Sequence, residues 1–546
     1  MLYTHREIRR HPIIALLFLL LCTTYASAQL TNNLLVDGAA LSLGNAVTAD
    51  PPGIYAIHYN PAGLTRLKGR HVTVGSMFMY APAKTSWSAP EDYNIFSPND
   101  RENNPIVNGF YDDHTEQQGV LYVPGHGGKV EPKVINMPMD IVPTWGFSIN
   151  SPGSKFTFGS AVIFQMAGGA DVEKDDPLKF NAQRSVMQRV TFASPTIAYE
   201  INDRLSVGFT VGFNHHGFYL RKPSMEPNVL SGVQELVQDA LCGPPDDRRG
   251  FALAFIYNPC GGNVGPFDEI GVMTLDLEDK LSTHWNIGVL WKATDWMTVG
   301  VNYQSESKVE LQGTFDFQYH EDFYEYYRQY RQSIVGALEA DKFQAPTGLH
   351  RERANATMDM IFPQKFDIGV SLTPHPRWKI NIDAHWVDWA VWDVLRMQLD
   401  RENEGLAASM ILRYDIIGRD YADTEMYMKS TWSVGVGVEY TLTDRLKLRF
   451  GVENRPDSVP DAYSEANMGL AETVMYGAGA EYKWDADSVM ELFVSYLESE
   501  RDLPANTSMN ANTDSLLNVG TNPYAGLDIK SEMSMLTWGV KYTRQW

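Results

Sequence analysis

The side chains able to do covalent or proton-transfer chemistry are few and far apart in this 546-residue chain. His215-His216 and His385 are the histidines a proton relay would draw on, yet no spaced acid or nucleophile makes a motif with them. There is no His-Glu-x-x-His helix, no Gly-x-Ser-x-Gly elbow, no phosphate loop ending in Gly-Lys-Ser/Thr and no calcium-loop aspartate spacing. An isolated histidine on a polar strand face is ordinarily just solvated, so the chain reads as a non-enzyme with no cofactor and no metal. A hydrolase remains an alternative, because spacing cannot pair a serine and a histidine carried on the wall of a sheet.

The cysteines are only three. Arg6, Arg9 and Arg10 precede the apolar run Ile13 to Leu21, and Ala26-Ser27-Ala28 supplies a small-x-small cleavage pattern, so residues 1–28 read as a secretory signal peptide and Gln29 as the mature start. Cys22 leaves with that segment, since bulky Leu21 before it does not suit a lipoprotein signal. Cys242 and Cys260 remain, in Gly/Pro-rich surroundings and in an exported chain, and are expected to form one disulfide stabilising its loop by about 3 kcal/mol. Without a CxxC or nearby histidines they make a poor metal site.

Composition narrows the classes further. With 67 Asp+Glu against 45 Lys+Arg, a net charge of −22, the surface is unsuited to nucleic acid. Ile13 to Cys22 is about half the roughly 20 apolar residues that a membrane-spanning helix requires. Aromatic residues are 12% of the chain, including 13 Trp and 27 Tyr, an excess that suits boundaries between water and an apolar phase.

The elements that must position these residues alternate with period two. Trp432, Val434, Val436, Val438 and Tyr440 interleave with Ser433, Gly435, Gly437 and Glu439, and the pattern returns over Trp378–Trp386 and Tyr476–Trp484. Short turn signals at Ser151–Ser154, Asn202–Arg204, Ala293–Asp295, Pro374–Arg377, Thr443–Arg445 and Asp485–Asp487 alternate with long stretches around 82–140, 224–268, 318–355, 400–426, 456–468 and 500–528. Tight turns on one rim and long loops on the other predict an all-β fold, a transmembrane antiparallel β-barrel of about fourteen strands in the outer membrane of a Gram-negative bacterium. Trp145, Trp296, Trp378, Trp386, Trp389, Tyr440, Tyr482 and Trp484 are expected at the membrane interfaces, Trp546 in a closing strand read by the barrel-assembly machinery, and Lys379, Lys447, Arg449 and Lys483 on the lumen face. Outer-membrane lipid and lipopolysaccharide are the expected surroundings.

Residues 29–68 do not alternate. Their small and turn-forming residues read as a compact hatch inside the lumen, ahead of a first strand at His71 to Tyr80 and a barrel over 69–546. The run Ala40-Leu41-Ser42-Leu43-Gly44-Asn45-Ala46, followed by Tyr59-Asn60-Pro61-Ala62-Gly63-Leu64, resembles the N-terminal hatch of the FadL family of outer-membrane transporters for hydrophobic compounds. Ser194–Ile201, Phe362-Pro363-Gln364-Lys365 and His385-Trp386-Val387-Asp388-Trp389 are similar in style, and the resemblance covers nearly the whole mature chain. It departs from the pattern in the long first loop, the cysteine-bearing loop and Gln165-Met166-Ala167-Gly168-Gly169.

The resemblance implies passive uptake of a hydrophobic small molecule, with long-chain fatty acids the leading candidate over an aromatic or alkane. It implies capture in a groove between loops, rearrangement of the hatch at Asn60, Pro61 and Ala62, and lateral exit through the wall. Helical spacing in 224–268 and 318–355 makes Leu236, Val237, Leu241, Phe251, Phe255, Tyr327, Tyr330 and Ile334 the groove candidates, and Gly168 and Gly169 mark a bend for the exit. The rival reading is a plugged or polar porin or a surface structural barrel, which a hatch and apolar loop helices disfavour.

Overall fold

The structure, a computed structural model, describes residues 33–546 except 97–98, 111–117, 123–133, 138, 226, 228, 245–249, 251, 338–347, 410–416, 467–470 and 515–521. The expected signal peptide and Cys22 lie outside the described residues. No described helix is long and apolar enough to cross a membrane.

Fourteen antiparallel strands close on themselves. They are β1 (Gly69–Tyr80, continued by Ala83–Ser88), β2 (Asp140–Asn150), β3 (Phe156–Asp171), β4 (Arg184–Asn202), β5 (Leu205–Met225), β6 (Glu269–Lys292) and β7 (Met297–Gln304 and Ser307–Tyr319). Then come β8 (Arg351–Phe362 and Lys365–His375), β9 (Trp378–Val387 and Val394–Leu399), β10 (Tyr421–Glu425 and Thr431–Thr441), β11 (Leu446–Arg455), β12 (Thr473–Lys483), β13 (Ser488–Leu503) and β14 (Asp528–Gln545). The last strand pairs with the first from His71↔Gln545 to Tyr80↔Leu536, so the sheet closes into a barrel.

All six short turns read from the sequence lie at one rim. The opposite rim carries the long loops, with one more than expected. Residues 172–183 form a separate connection between β3 and β4, because β3 runs through Gly168 and Gly169 to Asp171.

Side chains alternate between lipid and lumen as the pleat requires: along β2 every even residue is buried while Trp145, Phe147 and Ile149 stand exposed. Rings gather at the short-turn rim, where Trp378 stacks on Tyr440 at 4.5 Å and Tyr482 meets Trp484. Trp389 departs from the expected girdle. The ladder between β8 and β9 ends at Val387, and Trp389, an odd residue, keeps the inward phase of Asp383, His385 and Val387, opposite to Trp386; it is only 3% exposed and packs on Trp392 with ring centres 5.3 Å apart.

The lumen is filled at its short-turn end by the hatch, in which α1 (Gly38–Ser42) and α2 (Ala56–Tyr59) are joined by tight turns and followed by a 3₁₀ turn over Pro61–Arg66. Its apolar residues are almost wholly buried, Leu35, Ala40, Val47, Ile57 and Leu64 among them, so it is a packed body and not a loose tail. The hatch fits because the wall is bare where they touch. A Cβ on Gly288 would lie 2.1 Å from Asn60 Oδ1, and one on Gly451 would lie 2.1 Å from the Gly44 nitrogen.

Candidate functional site

Asn60 shows why the Asn-Pro-Ala run stands where it does. Its Nδ2 donates to the carbonyls of Thr48 (2.9 Å), Val289 (3.0 Å) and Val301 (3.3 Å), tying two parts of the hatch to β6 and β7. Its Oδ1 accepts from the Ala62 nitrogen at 3.2 Å, capping the 3₁₀ turn in which Pro61 takes the first position. Asn286 from β6 completes the attachment by donating to the carbonyls of Ile57 (3.2 Å) and His58 (2.7 Å). Burial, with Lys365 adding to it, pushes the His58 imidazole down to about 3, so this hatch residue is neutral at ordinary pH.

Beneath the hatch the wall is charged and saturated. Lys541 bridges Asp37 (2.6 Å) and Glu491 (2.7 Å), and Arg449 bonds Glu491 (2.5 Å), Glu439 (2.9 Å) and Glu481. Lys447 joins Glu481 (2.9 Å), and Lys379 runs from Glu439 (3.8 Å) to Asp50 (2.6 Å), which also takes Arg66 (2.6 Å). Burial pushes the Asp50 carboxyl up, but Lys379 and Arg66 outweigh it and hold the group below the usual carboxylate range. Lys379, Lys447 and Arg449 thus do face the lumen, and acids from neighbouring strands and the hatch account for their charge. Lys483 stands exposed at the rim.

Above the hatch the lumen is apolar. Leu277, Leu311, Ala356, Met358, Met360, Trp389, Trp392 and Met426 pack into one cluster, joined by Met166, Met187 and Met273. Two stretches remote in sequence meet there. Gln364 donates to Asp388 at 3.0 Å, and the Trp392 indole N–H donates to the Ile361 carbonyl at 2.7 Å, holding Phe362 and both tryptophans against the chamber. A thioether-rich wall of this kind adapts to irregular apolar ligands.

At the foot of this chamber lies Arg189, 3% exposed, with its guanidinium 4.8 Å over the Phe362 ring. It donates to Asn214 Oδ1 and meets His284 Nδ1, both at 3.3 Å, while its Nε has no partner and no carboxylate pairs with it among the described residues. His216 stacks on the same Phe362 at 4.6 Å, with its Nε2 unbonded, and Lys365 lies within electrostatic reach. Sequence reading missed Arg189. Its character depends on neighbours that come from β5, β6 and β8 and leave no mark in the local sequence.

The groove candidates divide. Leu236 (68% exposed) and Leu241 stand out from α3 (Val229–Cys242), Val237 is half-buried, and Phe251 lies outside the described residues. Phe255 (63% exposed) and Ile334 adjoin, the Ile334 nitrogen donating to the Phe255 carbonyl at 3.0 Å. Tyr330 is buried against Tyr326 and Tyr257, beside Tyr327, in a stack that fastens α4 (Glu321–Arg331) to the third loop. The Cys242–Cys260 disulfide is formed, with Cα atoms 5.4 Å apart.

One gap in the wall lies between β2 and β3, where the first-loop segment Gln118–Tyr122 pairs with the end of β3 at Gln118↔Asp171 and Gly119↔Ala170. β2 and β3 pair only from Ile149↔Phe158 to Trp145↔Val162, whereas β2 stays paired with β1 up to Asp140 and β3 with β4 up to Asp171. Gly168 and Gly169 lie in the β3 segment bordering this gap, paired with Met187 and Val186 on its far side. A separate cleft of about 1190 Å³ is lined both by charges, among them Lys280, Lys308, Glu310 and Asp359, and by apolar Val309, Met360, Val391 and Leu395.

A closed fourteen-strand barrel, plugged from its short-turn end and lined with apolar side chains above the plug, is an outer-membrane transport barrel in class. The family model for outer membrane protein transport proteins (OMPP1/FadL/TodX) matches residues 18–546, and the chain belongs to that family, whose members carry hydrophobic compounds across the outer membrane of Gram-negative bacteria. A FadL homologue from Pseudomonas aeruginosa matches at 14% identity with a TM-score of 0.63, covering 96% of this chain and 100% of its own. The toluene transporters TodX of Pseudomonas putida and TbuX of Ralstonia pickettii match at 14% identity and a TM-score of 0.57, covering 95% and 94% of this chain and 100% and 99% of their own. The family and these neighbours are transport channels. No curated protein matches the sequence.

Proposed function

We propose that this protein takes up long-chain fatty acids, or amphiphiles with the same anionic headgroup, by downhill diffusion. The observation that carries this reading is Arg189, a buried guanidinium without an acid at the foot of an apolar, methionine-rich chamber. A buried charge is ordinarily paired, and a carboxylate from outside would complete this one with charge-assisted hydrogen bonds. Neutral ligands such as toluene have no use for it. Exposed Leu236, Phe255 and Ile334 on the third and fourth loops would gather the ligand outside the polysaccharide layer, the hatch around Asn60 would move to let it descend, and the β2–β3 gap would release it sideways into the bilayer. Lipopolysaccharide around the barrel and the assembly machinery that inserts it belong to the same proposal.

The test is oleate binding to the detergent-purified protein, followed by tryptophan fluorescence. Arg189→Leu is expected to weaken oleate binding about hundredfold while the barrel keeps its heat-modifiable migration. Equal binding by the variant, or toluene displacing oleate at matched concentration, would turn the reading towards an uncharged ligand.

A further inference from the structure

Bordering the β2–β3 gap are side chains whose hydrogen-bonding capacity the fold leaves unused. Gln165 is 6% exposed and neither its Nε2 nor its Oε1 has a partner, and the buried Gln188 leaves its Oε1 unbonded. Gln165 is the bulged residue of β3, between the pairs Phe164↔Val190 and Met166↔Arg189, and Gln188 pairs with Ala167 just beyond it. Asp140 ends the part of β2 that pairs with β1 and not with β3. Asp140 is buried there with no ion pair among the described residues. The unpaired guanidinium and the two amides with unbonded atoms are therefore near neighbours in the β3–β4 ladder.

A buried amide open at both ends is completed by a group that donates and accepts together. A protonated carboxyl does both: its O–H donates to Oε1 and its carbonyl accepts from Nε2. A carboxylate only accepts, so it would leave Oε1 facing an anion. The charges around the gap also disfavour an anion. Arg184 is already paired with Asp171 at 2.7 Å, Asp140 is acidic, β1 presents Met79 and the hatch presents Leu34 and Leu35.

We propose that Gln165 and Gln188 form a transfer site for the protonated headgroup of a carboxylic acid, so that the ligand rests on Arg189 as an anion and passes the gap as a neutral acid. The proton comes from water on the way in and returns to water once the headgroup reaches the membrane surface. This rests on the reading of Arg189 as the carboxylate site.

The experiment uses the full-length protein in phospholipid vesicles, with oleic acid and methyl oleate as probes, measuring binding to the protein and transfer into the bilayer separately. Gln165→Leu combined with Gln188→Leu is expected to slow oleic acid transfer about tenfold and methyl oleate, which can only accept, about threefold or less, with oleate binding unchanged. Transfer of oleic acid by the wild type is expected to rise as pH falls from 8 to 6 while that of methyl oleate stays flat, and Asp140→Asn is expected to keep that slope. Gln165→Glu, which keeps the size but adds a carboxyl, should slow the acid at least as much as leucine does. Wild-type oleic acid transfer by the glutamine variants with binding intact, or equal slowing of both probes, would overturn the transfer site. Loss of the distinction between wild type and Arg189→Leu in oleate binding would instead overturn the Arg189 reading, and this inference with it.

Discussion

The network under the hatch and the Arg189 site treat buried charge in opposite ways, while nearer the long-loop rim Arg455 pairs with Glu453 and Arg501 with Asp457 and Asp461. Under the hatch every cation has carboxylates within reach: Arg449 has three, Lys541 two, and Lys379 links a wall acid to a hatch acid. Above the hatch Arg189 has an asparagine, a histidine and a ring face. Compensated charge is what a wall requires of itself, and uncompensated charge is what it reserves for something arriving from outside. Residue type alone does not separate the two, since an arginine on the lumen face of a strand serves either purpose.

The largest effect that would break this contrast is expected on the saturated side. Arg449→Leu leaves Glu439, Glu481 and Glu491 facing one another in a buried space, and removing one partner of such a set typically costs 3–5 kcal/mol. The variant should lose resistance to unfolding in detergent, read as a fall in the temperature of the heat-modifiable transition, and a barrel as stable as wild type would mean the network is incidental. On the open side, Asn214→Asp supplies from within the acid that Arg189 lacks. The shape is kept, Thr191 still donates to the same oxygen (2.7 Å in the wild type), and oleate binding should fall at least tenfold while stability holds or rises. Binding that survives this substitution would place the anion elsewhere.

A smaller effect sharpens the contrast by pH. His58 is neutral in the docked hatch, with its imidazole pushed down to about 3 by burial, and titrates near 6.5 once released. Its contribution to docking is complete above 6.5 and is lost as pH falls towards 3, amounting to about 2 kcal/mol at pH 5. Asp50, held low by Lys379 and Arg66, stays ionised at pH 5 and adds its own loss only in stronger acid. A single cysteine introduced at Ala56 should become more reactive to a thiol reagent at pH 5 than at pH 8, and the difference should shrink in His58→Gln.

Much of the fold was legible because a barrel wall writes its period into the chain. Trp432 to Tyr440 alternate as they do since one face meets lipid and the other meets the hatch, and the glycines of that segment admit the hatch backbone, a purpose alternation alone did not disclose. Legibility failed where pairing breaks. Trp389 keeps the look of an interface residue, yet it lies in the inward phase of His385 and Val387, and residues 172–183 did not stand out as a separate long loop because a short connection leaves little compositional mark. Arg189 was out of reach for a different reason. Its character lies in what surrounds it, and Asn214, His284 and Phe362 are brought together only by strand register. The same holds for Gln165, noticed as a departure from the family pattern but without the empty surroundings that give it meaning.

The ion pair between Asp37 and Lys541 spans 504 residues, from the first turn of the hatch to the last strand of the barrel. Its closure therefore registers completion. Without β14, Asp37 lacks the lysine that pairs with it, while Glu491 keeps only Arg449. The last strand thus carries the residue that ties the plug to the completed wall.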